Sequence, residues 1–122
     1  GLKGVSGTTG DMRTLLEMQS SDPYAKDAVD LFCYSIKKCI GAYAAVLNGV
    51  DMIVFTGGIG ERSAYIRNKI CEDLEYLGIE IATDIPDTMP RISSDKSRVR
   101  VEILHTDESA MMYEHALQFL AV

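Results

Sequence analysis

The sequence predicts an α/β fold in which two or three strands are flanked by helices, and three observations support it. An almost entirely apolar run at residues 51–56 is typical of a buried strand. Three glycines, Gly57, Gly58 and Gly60, follow directly, and a helical pattern of apolar residues comes after them. A second strand pattern lies at residues 99–103, where Val and Ile alternate with Arg and Glu. Two or three strands nevertheless make a thin sheet for this much helix.

The first part of the chain predicts a loop and two helices. Residues 1–10 are rich in Gly, Ser and Thr and predict the loop. Residues 11–19 predict a short helix with Asp11 as its cap. A longer helix over residues 23–48 has Asp22 as its cap and Pro at its first position. Its apolar residues share one face, which we expect to be buried: Val29, Phe32, Cys33, Ile36, Ile40, Tyr43, Ala44 and Leu47.

The second part predicts the strands and two further helices. We expect the strand at residues 51–56 to be buried on both faces, as in a parallel sheet. Helical spacing of apolar residues covers residues 62–77 and stops at Gly78. Residues 79–82 predict a brief strand, and residues 83–97 an irregular loop. A last helix is predicted to start at Thr106, with Asp107 and Glu108 in its first turn.

The composition limits the classes of function. The 122 residues, 47% of them apolar, are enough for one domain or part of one over residues 1–122. A formal net charge of −6 argues against binding to nucleic acid. No apolar stretch reaches the roughly 18 residues of a membrane span. Three cysteines without a CxxC pair predict a reduced, cytoplasmic location, with Cys33 and Cys71 in the core. Because the chain starts without Met, we expect it to be cut from a larger protein.

The glycine segment allows three interpretations on spacing alone. Gly58, Gly60 and Ser63 nearly fit the dinucleotide fingerprint, and Glu80 lies at about the distance where that fingerprint has an acidic residue. An apolar strand that ends in Gly-Gly also resembles the adenosine turn of the actin, sugar-kinase and heat-shock ATPase superfamily. The third interpretation is a tight turn between strand and helix that binds no ligand. All three stay open at this point.

Several stretches together resemble the acetate kinase family, which includes propionate and butyrate kinases, and their order and spacing match its C-terminal portion. The resemblance selects the adenosine turn and implies a partial ribonuclease-H-like domain. The matching stretches are Gly4-Val5-Ser6-Gly7, Asp11-Met12-Arg13, Ile36-Lys37-Lys38, Ile40-Gly41-Ala42-Tyr43-Ala44-Ala45, Val54-Phe55-Thr56-Gly57-Gly58-Ile59-Gly60-Glu61, Ser63-Ala64, Arg67, Leu74-Glu75, Leu77-Gly78-Ile79, Thr106 and Glu108.

The resemblance also implies an activity. Enzymes of the family transfer a phosphoryl group between ATP and a short-chain carboxylate, giving an acyl phosphate and ADP, with Mg²⁺. They dimerise through their C-terminal domains, so a homodimer is implied. The groups that hold the acyl substrate and stabilise the transferring phosphoryl group lie in parts of the family that this chain does not match. We therefore expect no catalytic residue in this chain and no activity of the chain by itself. A non-catalytic binding or assembly module is the alternative.

The implied site residues form three groups. Asp11, Met12 and Arg13 match the segment that lines the adenine pocket and its ribose side, where the family has an aromatic residue or Leu in place of Met12. Glu108 matches an acidic residue linked to Mg²⁺, although Asp107 replaces an Asn of the family pattern. The third group matches the turn along the adenosine and phosphates and ends in an Arg where the family has Asn: Gly57, Gly58, Ile59, Gly60 and Arg62.

Overall fold

A computed structural model of the chain describes residues 1–85 and 89–105. It divides into two compact units, Gly1–Gly49 and Val50–Val122, each of which is described by itself. The first unit is helical and the second contains a small parallel sheet. The predicted α/β class with two or three strands is confirmed, with two strands among the described residues.

The first unit is built on one long helix. Helix α1 covers Leu2–Ser6, α2 covers Met12–Met18 and α3 covers Pro23–Val46, and both short helices pack on α3. The start of α3 is as predicted, because the Asp22 carboxylate accepts a hydrogen bond of 2.9 Å from the backbone N–H of Tyr24. The core of this unit includes Leu15 and Val29, both fully buried.

The prediction of a loop over residues 1–10 is wrong for the first part of that range, where α1 forms. The helix ends at Gly7, which adopts a left-handed φ of 74° and donates its N–H to the carbonyl of Lys3 at 2.8 Å. Gly, Ser and Thr are weak helix formers, but α1 contacts α3, and tertiary packing outweighs such local preferences.

The predicted apolar face of α3 is only partly buried. Val29, Cys33 and Ala44 are buried as expected. Tyr43 and Leu47 are 67% and 66% exposed, so their predicted burial is wrong for this structure. Helical spacing determines which residues share a face of the helix. It does not determine over what length of the helix other elements pack against that face.

The second unit holds two parallel strands. Strand β1 covers Met52–Phe55 and β2 covers Arg100–Ile103, and the register pairs Met52 with Arg100 and Phe55 with Ile103. Val101 of β2 is fully buried, as its alternating pattern predicted.

The expected burial of both faces of β1 is wrong. Met52 and Val54 lie on the same face of the strand and are 46% and 38% exposed, whereas Phe55 on the other face is buried. A strand of a parallel sheet is buried on both faces only where helices cover both. The outer face of β1 lacks such a cover among the described residues.

The single helix predicted over residues 62–77 is not continuous. Helix α4 covers Gly57–Arg62, α5 covers Ala64–Cys71, and a 3₁₀ turn covers Glu75–Leu77, so the predicted range includes only the last residue of α4. Ser63 separates the helices: its backbone is extended, and its hydroxyl accepts a hydrogen bond of 3.1 Å from the N–H of Ile66. The apolar positions Ile66, Ile70 and Leu74 are buried as the spacing predicted.

Two further predictions concern residues 79–82 and the residues from Thr106 onwards. Residues 79–82 contribute one isolated antiparallel bridge, between Ile81 and Ser93, and no strand. The helix predicted from Thr106, with Glu108 in it, lies outside the described residues. No helix of the described part is long and apolar enough to cross a membrane.

Candidate functional site

The first candidate segment, residues 11–13, begins helix α2. Asp11 occupies the N-cap position, yet its carboxylate accepts a hydrogen bond of 2.7 Å from the Thr14 hydroxyl and none that caps the backbone. This hydrogen bond from Thr14 is the main reason that the pKa of Asp11 lies below its ordinary value. Asp11 is therefore an exposed carboxylate that favours its charged form.

The three residues of this segment face different surroundings. Asp11 and Arg13 are exposed, so both charged side chains are accessible to a ligand. Met12 is only 4% exposed, so its side chain belongs to the interior. A packing contact of the Met12 thioether with a purine stays a prediction, and the segment as described presents a carboxylate and a guanidinium.

Ser6, which the sequence patterns did not single out as a site residue, organises the loop before Asp11. The buried Ser6 hydroxyl donates to the carbonyl of Thr9 at 3.0 Å and accepts from the N–H groups of Thr8 and Thr9 at 3.2 and 3.3 Å. The Thr9 hydroxyl in turn accepts from the N–H of Asp11 at 3.1 Å. A Ser followed by Gly and two Thr favours such local turns, which is the signal that could have indicated this role.

The second candidate segment, residues 57–62, coincides with helix α4. Thr56 is extended, Gly57 has a left-handed φ of 80°, and the helix begins at once. The predicted turn of three glycines is therefore wrong in its extent, because Gly58 and Gly60 lie inside the helix. The change of direction after β1 is made at Gly57, where glycine adopts positive φ without steric cost.

Each glycine of this segment meets different surroundings. A Cβ atom at Gly60 would lie 3.5 Å from the Cβ of Phe55, so helix and strand approach closely there. A Cβ atom at Gly58 would meet no atom of the described residues within 4 Å, and the φ of Gly58 is not positive. Nothing within the described structure requires glycine at position 58. Its exposed backbone is open to an approaching molecule, which fits a nucleoside.

Ile59 and Arg62 complete this segment. Ile59 is half-buried, and Arg62 is exposed at the end of α4. Arg62 lines a groove of about 1070 Å³ that is bordered mainly by α5 and residues 79–85, whereas residues 57–60 do not line it. The open surface at Gly58 is thus separate from this groove, and the candidate site is defined by the backbone geometry of residues 57–60.

Two residues that hold α4 were missed as functional candidates. The Glu61 carboxylate accepts a hydrogen bond of 3.2 Å from the N–H of Gly57. The Arg67 guanidinium donates from Nη1 to the carbonyls of Gly60 and Glu61, both at 2.9 Å. The spacing of four residues between Gly57 and Glu61 is a helical spacing and could have indicated the first contact.

The predicted metal residue, Glu108, lies outside the described residues. Within residues 1–85 and 89–105, no three His, Cys, Asp or Glu side chains are grouped to hold a metal ion. His105 is 60% exposed and its Nδ1 lies 3.8 Å from Glu61 Oε2. The Mg²⁺ site therefore stays a prediction.

The chain is similar to proteins of one family over most of its length. The model of the acetokinase family matches residues 1–114. An acetate kinase of Rhodopseudomonas palustris is 44% identical over 118 residues, which cover 94% of this chain and 29% of the relative. An acetate kinase of Brachyspira hyodysenteriae is 46% identical over 111 residues, which cover 88% of this chain and 28% of the relative.

Solved structures agree with the sequence comparison. A crystal structure of Porphyromonas gingivalis acetate kinase matches with a TM-score of 0.83 and 36% identity, over 98% of this chain and 31% of the other. A propionate kinase of Francisella tularensis matches with a TM-score of 0.78 and 34% identity, over 91% of this chain and 29% of the other. The chain thus spans about 30% of the length of these relatives.

Proposed function

The chain belongs to the acetokinase family, and we propose that it forms the nucleotide-binding part of a kinase that transfers a phosphoryl group between ATP and a short-chain carboxylate such as acetate. The relatives named acetate kinase and propionate kinase support this reaction class. Because the chain spans about 30% of these relatives, the activity, substrate and partners of the whole enzyme belong to the proposal. We assign the matched segment to the C-terminal third, in line with the resemblance of its motifs.

The observation that carries the nucleotide proposal is the open backbone at Gly58. Among the described residues, no neighbour requires glycine at position 58, which lies next to a turn at Gly57 that only glycine adopts without strain. A ligand that lies against the backbone gives a reason for glycine there. In the proposed site, residues 57–60 lie along the adenosine, with Ile59 half-buried among them.

The exposed charged residues are assigned to the polar parts of the nucleotide. Asp11 accepts hydrogen bonds, which suits ribose hydroxyls, and Arg13 supplies a guanidinium beside it. Arg62, in the place of the family's Asn, is a donor for phosphate oxygens. Such local cations matter because the chain as a whole carries a net charge of −6 and nucleotides are anionic. Mg²⁺ would neutralise the phosphates, with Glu108 as its proposed carboxylate ligand.

We assign no catalytic residue to this chain. Phosphoryl transfer requires groups that neutralise the transferring phosphoryl and hold the acceptor in line. The resemblance assigns those groups to parts of the family that this chain does not match. We therefore propose that the 122-residue chain alone has no acetate kinase activity, and that the whole enzyme is a cytoplasmic homodimer.

The structure gives less support to the dinucleotide alternative. That fingerprint uses its glycines in a loop that approaches a pyrophosphate before a helix begins. Here Gly58 and Gly60 lie inside α4, and Ser63 ends it. The exposed Glu80 follows a left-handed residue, Gly78, and does not end a strand of the sheet.

Calorimetric titration with ADP tests the proposal. Gly58→Val adds a branched side chain to the open backbone, and Gly41→Val is the matched control, since Gly41 in α3 also has no protein atom within 4 Å of an added Cβ. We expect Gly58→Val to weaken ADP binding by at least about tenfold, or about 1.4 kcal/mol, and Gly41→Val to leave it unchanged. Unchanged ADP affinity in Gly58→Val, with an intact circular dichroism spectrum, would contradict the proposal. Binding of NAD in preference to ADP would favour the dinucleotide alternative.

A further inference from the structure

Helix α4 needs support from outside its own backbone. It has six residues, and isolated helices of this length are unstable in water. Gly57 also makes the backbone at the start of the helix more flexible, because glycine populates positive and negative φ about equally. The sequence of residues 57–60 therefore does not by itself determine the conformation that presents the open backbone at Gly58.

The Glu61 side chain supplies a contact that selects this conformation. Its Oε1 accepts the N–H of Gly57 at 3.2 Å, across one turn of α4. The side chain is only 7% exposed, so water competes little for the carboxylate. We call this contact between Glu61 and the N–H of Gly57 the Glu61 latch.

The other end of α4 is held by Arg67. The last carbonyls of a helix lack partners within it, and Arg67 Nη1 donates to two of them, Gly60 and Glu61. Arg67 is 8% exposed and belongs to α5, whose buried residues Ile66 and Ile70 fix its position. Helix α4 is therefore held at its start by the Glu61 latch and at its end by a side chain of the next helix.

We infer that Glu61 is a positioning residue for nucleotide binding: the Glu61 latch keeps Gly57 left-handed and so holds the Gly58 backbone open to the adenosine. Glu61 itself does not touch the nucleotide. The inference rests on the proposed function for residues 57–60 and goes beyond it by naming the buried carboxylate on which the affinity of that site depends.

Two substitutions at Glu61 separate hydrogen bonding from charge. Glu61→Gln keeps the length of the side chain and a carbonyl oxygen that can accept from Gly57, but it removes the charge. Glu61→Asp keeps the charge, but the side chain is one methylene shorter and no longer reaches Gly57.

Ser93→Ala is the control for a loss of stability that does not involve α4. Ser93 is 2% exposed and its hydroxyl accepts from the N–H of Val101 at 3.0 Å, so its loss weakens the same unit without touching α4.

The first measurement is hydrogen exchange of the Gly57 amide without ligand. Glu61→Asp should speed this exchange by about tenfold or more, while Glu61→Gln should stay within about threefold of the wild type. Equal protection of the Gly57 amide in wild type and Glu61→Asp would overturn the Glu61 latch, whether or not the chain binds nucleotide.

The second measurement is ADP affinity by calorimetry. We expect Glu61→Asp to bind ADP about tenfold more weakly, and both Glu61→Gln and Ser93→Ala to stay within about threefold of the wild type. If Glu61→Asp binds ADP with the affinity of the wild type, the positioning role is overturned. The role is also overturned if Glu61→Gln or Ser93→Ala loses as much ADP affinity as Glu61→Asp. Absence of ADP binding by the wild type would overturn the proposed function. Hydrogen exchange of the Gly57 amide would then still test whether the Glu61 latch exists.

Discussion

Gly57, Gly58 and Gly60 illustrate how one glycine-rich sequence serves three physical purposes. Gly57 allows a left-handed backbone, Gly60 allows helix α4 to approach Phe55, and Gly58 leaves its backbone uncovered. Their spacing predicted a close approach of backbone to ligand. It did not predict which glycine makes the turn, because that depends on where the helix begins.

Substitution by Ala distinguishes these purposes. Gly57→Ala should lower the free energy of unfolding by about 1 kcal/mol, because a residue with a Cβ atom is strained at a φ of 80°. Gly58→Ala should leave it unchanged or raise it by roughly 0.5–1 kcal/mol, because Ala is the better helix former and the site is open. Urea unfolding of both variants beside the wild type measures the difference. Equal effects of the two substitutions would contradict the assignment of the turn to Gly57.

Other residues of the candidate site could not be predicted individually. The positions of Asp11 and Arg13 on the surface agree with their charge, but the burial of Met12 depends on packing in the first unit. The contacts of Ser6, Glu61 and Arg67 join residues three, four and seven positions apart, so each is local in sequence. Whether each contact forms depends on the turn or helix that the segment adopts. Sequence patterns identify residue types, whereas the role of each of these residues depends on which atoms the folded backbone brings next to its side chain.

At the scale of elements, apolar spacing predicted burial better than it predicted helix ends. Ile66, Ile70 and Leu74 are buried as expected for a helix over residues 62–77, yet the helix is interrupted at Ser63 and again after Cys71. Asp73, with a left-handed φ of 64°, lies within the second interruption. Side chains on one face stay in phase across a short break, so periodicity alone does not reveal it.

Whether Ser63→Ala raises or lowers the free energy of unfolding tests the interruption of the helix at Ser63. If residues 62–77 formed one helix, Ser63→Ala would stabilise it, because Ala has the higher helix propensity. Since Ser63 instead caps α5 through the N–H of Ile66, we expect Ser63→Ala to lower the free energy of unfolding by about 1 kcal/mol. Thermal or urea unfolding gives the sign, with Ser35→Ala, at an exposed position inside α3, as a control for propensity. A stabilised Ser63→Ala would contradict the cap.

At the scale of the whole molecule, the described sheet is incomplete for an α/β fold. Among the described residues, β1 is hydrogen-bonded to β2 alone, and its outer face exposes Met52 and Val54. The sequence anticipated this thin sheet from its count of strand patterns. It did not indicate the exposure of Met52 and Val54, because a strand pattern does not reveal which elements cover each face of the strand.

We predict that the chain associates with itself in solution. Among the described residues, one edge of β1 has no strand partner, and an open apolar edge tends to pair with another chain. The exposed face of β1 adds apolar surface beside that edge. Sedimentation at micromolar concentration should show a dimer or larger species. Val54→Lys places a charge on the exposed face and should shift the distribution towards monomer. A wild-type chain that sediments as a monomer would argue against this association.

The central claim is that residues 57–60 form the adenosine-contacting surface of a kinase of the acetokinase family. The most direct measurement is a titration of the isotope-labelled chain with ADP, followed through its backbone amide resonances. We predict saturable shifts at Gly57, Gly58 and Gly60 and at Asp11 and Arg13, while Ser35 on the exposed side of α3 stays unchanged. A folded chain whose residues 57–60 show no shift at saturating ADP would contradict the account.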